Sequence, residues 1–203
     1  PLNGIEGFAS LLERDLGNDP KGRYARLIVE GVRHLNATVT GLLEYAKPRR
    51  LERAHHDPAA LLRSVAELLA GDAVESGVDL RINAAEGLPA LLCDGQQLKQ
   101  VLINLVRNAI QAVAGHRGHG AVDLTVDLIG EDEPAVAFSV SDEGPGIPTE
   151  DRQRIFTPFF TTKDDGTGLG LAVSHTIVDL HGGQLLVEDA PGGGARLRVV
   201  IPV

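Results

Sequence analysis

The sequence predicts an α+β protein, a two-layer α/β sandwich in which a mixed sheet packs on helices, preceded by an α-helical hairpin. Three observations lead to this class. Apolar residues recur at steps of three and four through residues 23 to 46, the period of a helix. The segments AVDLTVDLI and AVAFSVSD alternate apolar and polar residues, which indicates strands. A strongly helical segment precedes them, and helices with a mixed sheet arrange naturally in two layers.

Composition sets the broad class. Of 203 residues, 43% are hydrophobic and 23% are charged, which are ordinary values for a globular protein. The formal net charge of -9 argues against a nucleic-acid surface, because no basic block is present to neutralise phosphates. The single cysteine, Cys93, excludes an internal disulfide and a Cys/His metal cluster. No stretch is apolar over the length of a membrane span. We therefore expect a cytoplasmic location and no membrane contact by this chain.

The first fifty residues predict two helices joined by the turn GNDPKG. The first, from residue 1 to 16, has its apolar positions at helical spacing. The second carries a heptad seam that ends at Lys47-Pro48. Two narrow seams bury little, so the pair is either an appendage on the main domain or, as we prefer, half of a dimeric four-helix bundle. The seam positions are Leu2, Ile5, Phe8 or Ala9, Leu12 and Leu16, then Ala25, Ile28, Val32, Leu35, Val39, Leu42 and Ala46.

Residues 51 to 203 predict a separate domain of mixed helix and strand. Asp57 is a suitable N-cap for a helix that begins at Pro58 and runs through Leu69. A strand VDLRIN, a short apolar run ALLCD and a helix from residue 96 to 113 follow. The inward positions of that helix are Leu98, Val101, Leu102, Leu105, Val106 and Ile110.

The C-terminal part of that domain predicts an irregular region between its strands and its last helix. The two alternating strands come first, separated by GEDEP, and the irregular region runs from residue 143 to 167. A helix through about Leu180 follows, and QLLVED with ARLRVVIPV closes the chain as a hairpin across APGGG. The resulting domain division is 1–50 and 51–203.

Polar residues on the helix from 96 to 113 predict a binding face. Asn104 and Asn108 are four residues apart and Gln111 is three further on, so they share one side of the helix. One asparagine could cap a neighbouring loop, whereas two of them suggest a metal or phosphate site. Amide oxygens are suitable ligands for Mg²⁺, which takes further oxygens from nucleotide phosphates.

Asp142 ends an apolar strand and is followed by EGPGI. It is either a turn residue before Gly-Pro-Gly or a buried acceptor for a ligand amino group, which Gly144 and Gly146 would allow to approach. The later loop DDGTGLGLAV contains three glycines at a helix start, where backbone N–H groups can hold phosphate. It matches neither the dinucleotide fingerprint nor the phosphate loop. Taken alone, it fits a flexible turn as well as a nucleotide loop.

Four motifs in order resemble a known family. NLVRNAIQAV, DEGPGI, IFTPFFTTK and GTGLGL are similar to the N, G1, F and G2 boxes of the sensor histidine kinases, which belong with the gyrase, Hsp90 and MutL ATPases. PLNGIEGFASLL resembles the continuation of the H box that opens the dimerisation hairpin. TPFFTTK and NAIQA further resemble the nitrogen-regulation type. The resemblance implies a Bergerat-type ATP-binding fold, ATP and Mg²⁺ as cofactors, and a homodimer through the hairpin.

Carried over position by position, the resemblance assigns the site. Asn108 becomes the magnesium ligand, with Asn104 beside it towards the phosphates and Lys163 near the terminal phosphates; Asn104 and Lys163 are the catalytic candidates. Asp142 becomes the adenine reader, and Phe156, Phe159 and Phe160 anchor a mobile lid. The full nucleotide-binding set is Asn108, Gln111, Asp142, Gly144, Gly146, Ile147, Phe160, Thr162, Lys163, Gly166, Thr167, Gly168, Leu169 and Gly170.

The resemblance implies ATP-dependent autophosphorylation of a histidine and transfer of the phosphoryl group to an aspartate in a response regulator receiver domain. The alternative is an ATP-hydrolysing clamp of the gyrase or chaperone kind. Those clamps resemble one another in carrying a glutamate as general base four residues before the magnesium asparagine, where this chain has Asn104, whose amide cannot accept the proton.

The seven histidines lack the H-E-x-x-N-P-L context of a phosphoacceptor. We expect His175 and His181 to be surface or capping residues, and His55, His56, His116 and His119 to lie in turn-like or flanking sequence. His34 lies on the long helix off its apolar seam. If Pro1 is the proline of the H box, the acceptor histidine lies upstream of it.

Overall fold

The computed structural model describes residues 2–17, 19–46, 50–163 and 166–203. It begins with two antiparallel helices, α1 (Leu2–Leu16) and α2 (Gly22–Ala46), which confirms the predicted hairpin. Lys47 and Pro48, where the seam was expected to end, lie outside the described residues. No helix of the described part of the chain is long and apolar enough to cross a membrane.

Only a narrow strip of the hairpin is buried. The sequence left open whether Phe8 or Ala9 belongs to the seam of α1, and Ala9 is the one that is buried. On α2 the buried residues are Ala25, Val29 and Val32. Val29 was not among the predicted seam residues. Other large apolar residues are about half exposed, and Phe8 and Tyr24 more so, because one neighbouring helix covers only one stripe of another. They are Ile5, Phe8, Leu11 and Leu12 on α1, and Tyr24, Leu27, Ile28, Leu35, Val39 and Leu42 on α2.

The remaining elements form the two-layer sandwich that the sequence predicts. In chain order they are β1 (Ala54–His56), α3 (Pro58–Glu75), β2 (Val78–Ala84), β3 (Leu91–Cys93), α4 (Gly95–Arg117), β4 (Gly120–Ile129), β5 (Ala135–Asp142), a 3₁₀ turn (Arg154–Phe156), α5 (Gly170–Leu180), β6 (Gln184–Asp189) and β7 (Ala195–Pro202). As expected, Asp57 caps α3, accepting from the N–H groups of Ala59 and Ala60.

Three boundaries differ from expectation. Helix α3 continues past Leu69 and through Gly71 to Glu75, because Ala73 stays buried and the left-handed Gly77, with a φ of +69°, comes only after the helix. His55 and His56 belong to strand β1, which pairs with β3, and His116 lies in the last turn of α4. Strand β1 is three residues long and has no apolar alternation, so only its pairing partner reveals it.

The sheet has the strand order β2-β4-β5-β7-β6. Strand β2 pairs with β4 in parallel and the other neighbours are antiparallel, so the sheet is mixed, as predicted. Its inner face packs against α3, α4 and α5, and all six predicted inward residues of α4 are buried in this core. The outer face is polar: Arg196 and Arg198 donate to the hydroxyls of Ser141 and Ser139 at 2.9 and 3.4 Å.

The hairpin contacts the domain through α2 and the start of α5. Leu169, next to α5, is buried, and a Cβ placed on Gly41 of α2 would lie 3.0 Å from its Cδ1. Because Gly41 has no side chain, the helix backbone can approach the leucine closely. Leu169 is thus covered by the hairpin, although the resemblance placed it in the nucleotide-binding set.

Candidate functional site

The polar face of α4 is where the predicted site begins. Asn104 and Asn108 are half-buried and Gln111 is exposed, so the three form a slope from the core outwards. The neighbouring positions Leu105, Val106, Ala109 and Ile110 are buried in the core. The helix is held there by its capped start at Asp94 and a left-handed Gly118 at its end. A rigid, packed helix therefore fixes the spacing of the amide groups.

Asn104 holds the start of α5. Its Nδ2 donates to Ser174 Oγ at 3.0 Å, and Ser174 in turn donates to the carbonyl of Gly170 at 2.9 Å. A Cβ on Gly170 would collide with Asn104 Oδ1. The asparagine therefore packs directly on the helix start, and Gly170 is required for that approach. Ser174, buried within α5, is a site residue that the sequence reasoning missed.

Lys163 brings a cation to the amide face. Its Nζ lies 2.7 Å from Gln111 Oε1 and 3.4 Å from Asn108 Oδ1. The side chain is exposed as a whole, but protein atoms crowd the ammonium group, and this desolvation lowers the pKa of Lys163. The negative charge of Asp142 opposes the shift. The amide oxygens of Asn108 and Gln111 thus face the same cationic group.

Asp142 closes the site at the end of β5. The residue is buried, and its Oδ1 accepts from the N–H of Gly144 at 2.9 Å and of Ala195 at 3.3 Å. Burial raises its pKa; the two hydrogen bonds and Lys163 counteract this only in part. In the described part of the chain no group donates to Oδ2. That oxygen can therefore accept a hydrogen bond from a ligand.

The hairpin before β7 contributes a wall that sequence reasoning took only as a turn. Gly194 in that turn has a φ of +86°, and a Cβ there would overlap the carbonyl oxygen of Asp142. Its neighbour Ala195 supplies one of the two N–H groups that bind Asp142. The three consecutive glycines in APGGG could have indicated this close approach, since a hairpin turn by itself needs fewer glycines.

The segment after β5 is shaped by glycine contacts. A Cβ on Gly144 would lie 2.8 Å from Asp142 Oδ1 and 3.0 Å from Cβ of Ala112 on α4, so this loop lies directly on the helix. Gly146 has a φ of +78°. Ile147 is half-buried against the core, and its carbonyl accepts from Arg152 Nε at 3.3 Å. Gly144 therefore lies beside Asp142, whereas Gly146 lies against Gly194, with Ile147 following it in the chain.

The later glycine loop is closed by contacts within itself. A Cβ on Gly166 would collide with Thr161 Oγ1, and one on Gly168, with its φ of +66°, would collide with the backbone of Phe159. The N–H of Phe159 donates to the carbonyl of Gly168 at 2.9 Å. The fold of the loop therefore requires glycine at both positions, whether or not a ligand is bound. The sequence alone did not indicate this structural requirement.

The remaining residues of the loop lie around that closure. Thr167 Oγ1 accepts from the N–H of Leu169 at 3.4 Å, and Thr162 is exposed. Leu169 at the N-cap makes no capping bond and no other described side chain does so, which leaves the N–H groups of the first turn of α5 to an anion.

Two of the three predicted lid phenylalanines are anchored. The ring of Phe156 lies 5.1 Å from that of His175, and the guanidinium of Arg154 lies 4.5 Å above the ring of Phe160. Phe159 is exposed and has a φ of +67°, so it does not anchor the loop as expected. Its backbone conformation is set by the contact with Gly168 instead.

His175 and His181 each have a partner within α5. His175 pairs with Asp179 at 2.9 Å on the surface of α5. His181 caps the end of α5 and is buried, with Nδ1 2.8 Å from the carbonyl of Ile177. The expectation of a surface or capping role holds for both. In the described residues no three His, Cys, Asp or Glu side chains form a metal cluster.

Together these groups fit a magnesium nucleotide. The cation at Asn108 and Gln111, the start of α5 at Asn104 and the loop of Asp142 and Gly144 at Ala112 all lie against α4. An ammonium group already bound by the amide oxygens shows that their orientation suits a cation, and hard amide oxygens are suitable ligands for Mg²⁺. The helix start suits phosphate, and the carboxylate suits an amino group.

Comparison with known proteins agrees with this geometry. Residues 93–203 match the family described as Histidine kinase-, DNA gyrase B-, and HSP90-like ATPase. The chain belongs to this family, and within it to the catalytic cores of the sensor histidine kinases. Sensor histidine kinase ZraS of Escherichia coli O157:H7 is 39% identical over the whole chain. The sensory histidine kinase/phosphatase NtrB of Vibrio alginolyticus is 30% identical over 95% of it, in accord with the resemblance to the nitrogen-regulation type.

Solved structures extend the likeness to the hairpin. Full-length ShkA in complex with AMPPNP is similar over 100% of this chain and 43% of its own, with a TM-score of 0.79 and 34% identity. Histidine kinase ThkA in complex with the response regulator TrrA matches 98% of this chain and 56% of its own, with a TM-score of 0.76 and 31% identity. The chain spans 43% of the length of the ZraS relative.

Proposed function

We propose that the chain is the ATP-binding and dimerisation core of a protein histidine kinase of a two-component system. It binds magnesium ATP and directs the terminal phosphoryl group to a histidine, from which an aspartate of a response regulator receives it. The observation that carries the proposal is the grouping of Lys163, the start of α5 and the loop of Asp142 around the amide face of α4. The response regulator bound to ThkA supports the choice of partner.

In this proposal each residue has a defined task. Asp142 accepts the adenine amino group through Oδ2, because its Oδ1 is held by Gly144 and Ala195. Asn108 supplies an amide oxygen to Mg²⁺, which when bound neutralises phosphate charge. Lys163, already beside Asn108, offers its ammonium group to the terminal phosphate. Asn104 positions the first turn of α5, whose N–H groups receive phosphate oxygens.

The clamp ATPase alternative is disfavoured by the position of Asn104. The Nδ2 of Asn104 is committed to Ser174, and its Oδ1 packs on Gly170, so the side chain serves the fold of the phosphate loop. A general base for water would need a free group that accepts a proton. The chain is therefore built to position phosphate for an acceptor, and transfer depends mainly on that alignment.

The hairpin supplies the dimer in this proposal. Its unburied apolar residues cover both helices along most of their length, as half of a four-helix bundle requires. We place the domain division at residues 50 and 51. Because ATP is a cytoplasmic substrate, the proposal also places this part of the protein in the cytoplasm.

Titration calorimetry with ATP and Mg²⁺ tests the nucleotide site. Asp142→Asn replaces the charged acceptor and should weaken binding by about 1–3 kcal/mol, roughly 5-fold to 150-fold. Asp123→Asn is the matched control, since Asp123 lies on the outer face of the sheet opposite Ser141. Equal affinities of wild type and Asp142→Asn would remove the adenine assignment. Asn108→Ala should abolish the dependence of binding on Mg²⁺.

Radiolabelled ATP tests the reaction. The chain by itself should acquire no acid-labile label, because none of its histidines stands in the H-E-x-x-N-P-L context of a phosphoacceptor. The chain extended upstream to include an H box should become labelled, and Asn108→Ala in that longer chain should prevent it. Label on the 203-residue chain itself would overturn the assignment of the acceptor and direct attention to His34, His175 and His181.

A further inference from the structure

A second polar cluster lies at the other end of α4, away from the nucleotide site. It is built on Asp94 and His181, which are both buried, each at 6% exposure. The backbone N–H of Asp94 donates to His181 Nε2 at 3.0 Å. Because a carbonyl can only accept, Nδ1 of His181 carries the proton that bonds to Ile177. His181 therefore joins the start of α4 to the end of α5.

The Asp94 carboxylate collects four hydrogen bonds. Oδ1 accepts from the N–H groups of Gln96 and Gln97 at 3.1 and 3.0 Å. Oδ2 accepts from Nε2 of Gln97 and from the N–H of Glu52, each at 3.0 Å. Burial opposes its ionisation, but these bonds outweigh burial and lower the pKa of Asp94. A charge held this firmly fixes its neighbours in position.

One of those neighbours belongs to the linker that leaves the hairpin. Glu52 bonds to Asp94, while the carbonyl of Arg50 accepts from Gln97 Nε2 at 3.5 Å. Arg53 donates to the carbonyl of Leu180, beside His181, at 3.1 Å. The chain then enters β1, where Ala54 pairs with Cys93 directly before Asp94. The linker is thus tied to both helices that frame the nucleotide site.

The two helices are joined at two points along their length. Asn104 bonds to Ser174 at the nucleotide end, and Asp94 bonds to His181 at the linker end. The helices therefore run antiparallel, and about 15 Å of rigid helix separates Asp94 from Asn104. A displacement of the linker must either move α4 against α5 or break the bonds of Asp94.

We propose that Asp94 and His181 are positioning residues that couple the linker after the hairpin to the nucleotide site. The inference rests on the proposed nucleotide binding. Neither residue touches the nucleotide. They act by holding α4 and α5 in one alignment, in which the amides of α4 face the start of α5. Coupling is reciprocal, so nucleotide binding must in turn tighten the linker.

Amide hydrogen exchange, read by NMR with and without AMPPNP and Mg²⁺, tests both ideas separately. Protection at residues 104–111 and 166–170 reports binding; its absence would remove the proposed function. With that protection present, we expect exchange of the Glu52 and Asp94 amides to slow about fivefold or more, the lower end of the usual coupling range. Binding with no change at Glu52 and Asp94 overturns the coupling alone.

Two variant pairs separate positioning from a general loss of structure. His181→Leu removes both ring bonds and should abolish the response of Glu52 while residues 104–111 still respond. His181→Gln restores an acceptor for the Asp94 N–H and should recover the response of the Glu52 amide to the nucleotide. Glu52→Pro removes one linker donor and should abolish the response of the Asp94 amide, whereas Glu52→Ala, which keeps the N–H, should not.

The same variants carry a kinetic prediction in the chain extended to include an H box. Misalignment should lower the rate at saturating ATP about tenfold or more in His181→Leu and Glu52→Pro, and the KM for ATP should rise about fivefold, the reciprocal of the slowed exchange. Failure of His181→Gln to improve on His181→Leu overturns the proposal, as does an unchanged KM. A rate unchanged in Glu52→Pro overturns it too.

Discussion

The helical hairpin and the α/β domain use apolar residues in opposite ways. In the domain, large side chains such as Phe138, Leu102 and Ile177 are fully buried within one core. In the hairpin, Leu35, Val39 and other apolar residues of the seam remain near half exposed. The domain satisfies its apolar surface within one chain, whereas the hairpin leaves a surface that a second copy can cover. A seam of apolar residues in the sequence therefore need not be buried within its own chain.

The largest expected effect is a loss of domain stability. Phe138→Ala empties a fully buried position and should lower the free energy of unfolding by about 3–5 kcal/mol, whereas Leu35→Ala should leave it within about 0.5 kcal/mol. Circular dichroism during urea unfolding measures this. Both tyrosines, Tyr24 and Tyr45, lie in α2, so tyrosine fluorescence follows the hairpin separately. Equal costs for the two variants would contradict the contrast between core and seam.

The next effect concerns association. Leu35→Asp places a charge in the exposed seam and should raise the dissociation constant of the dimer about 100-fold, roughly 2.7 kcal/mol, since both copies carry it. Leu68→Asp is the control, because Leu68 is an equally exposed leucine on α3 of the domain. Sedimentation equilibrium measures both. A protein that is monomeric at high concentration before any substitution would exclude the bundle.

A smaller effect tests the contact between the two regions. Gly31→Ala on α2 adds a Cβ into open space and should stabilise the helix by about 0.5–1 kcal/mol. Gly41→Ala has the same helical benefit but places its Cβ 3.0 Å from Leu169 Cδ1, which offsets it. Thermal unfolding followed by tyrosine fluorescence compares the stability of the hairpin in the Gly31→Ala and Gly41→Ala variants. If both variants gain equally, Leu169 does not rest on the hairpin.

The smallest effect is a pH dependence confined to the domain, where all six buried polar residues of the described chain lie. Burial raises the pKa of Asp142, so the folded state binds its proton more tightly than the unfolded state. Its contribution is complete below the unfolded pKa and is lost as pH rises through the folded pKa. Asp142→Asn should therefore gain stability relative to wild type as pH rises. Melting temperatures from about pH 4 to pH 8 measure this; parallel curves would contradict it.

Local sequence determined most of the architecture. Every α-helix and the five strands of the main sheet were predicted, because their apolar periods extend over many residues and their ends carry signals such as Asp57 before Pro58. Strand β3 was predicted only as a short apolar run. The four motifs predicted the family, which the comparisons confirm. Strand β1 was missed because three residues without alternation form a strand only by pairing with β3.

The site residues were predicted by motif, but their neighbours were not. Asn104, Asn108 and Gln111 lie on one face of α4 because helical geometry alone fixes positions at steps of four and three. The contacts of Asn104 with Ser174, of Asp142 with Ala195 and of Asp94 with His181 join residues 53 to 87 positions apart. No local pattern encodes such pairs, because they depend on how strands and helices pack.

The sequence by itself determined the helices, the strands of the main sheet and which of their faces are apolar, since these follow from backbone sterics and burial. Only the tertiary structure decided which apolar stripe is buried. Helix α1 covers Val29 and leaves Ile28 and Leu35 exposed, although all lie within one helical pattern. It also decided that Leu169 faces Gly41 and that Lys163 meets Asn108. Burial and charge pairing depend on the partner surface, and that surface exists only once the chain has packed.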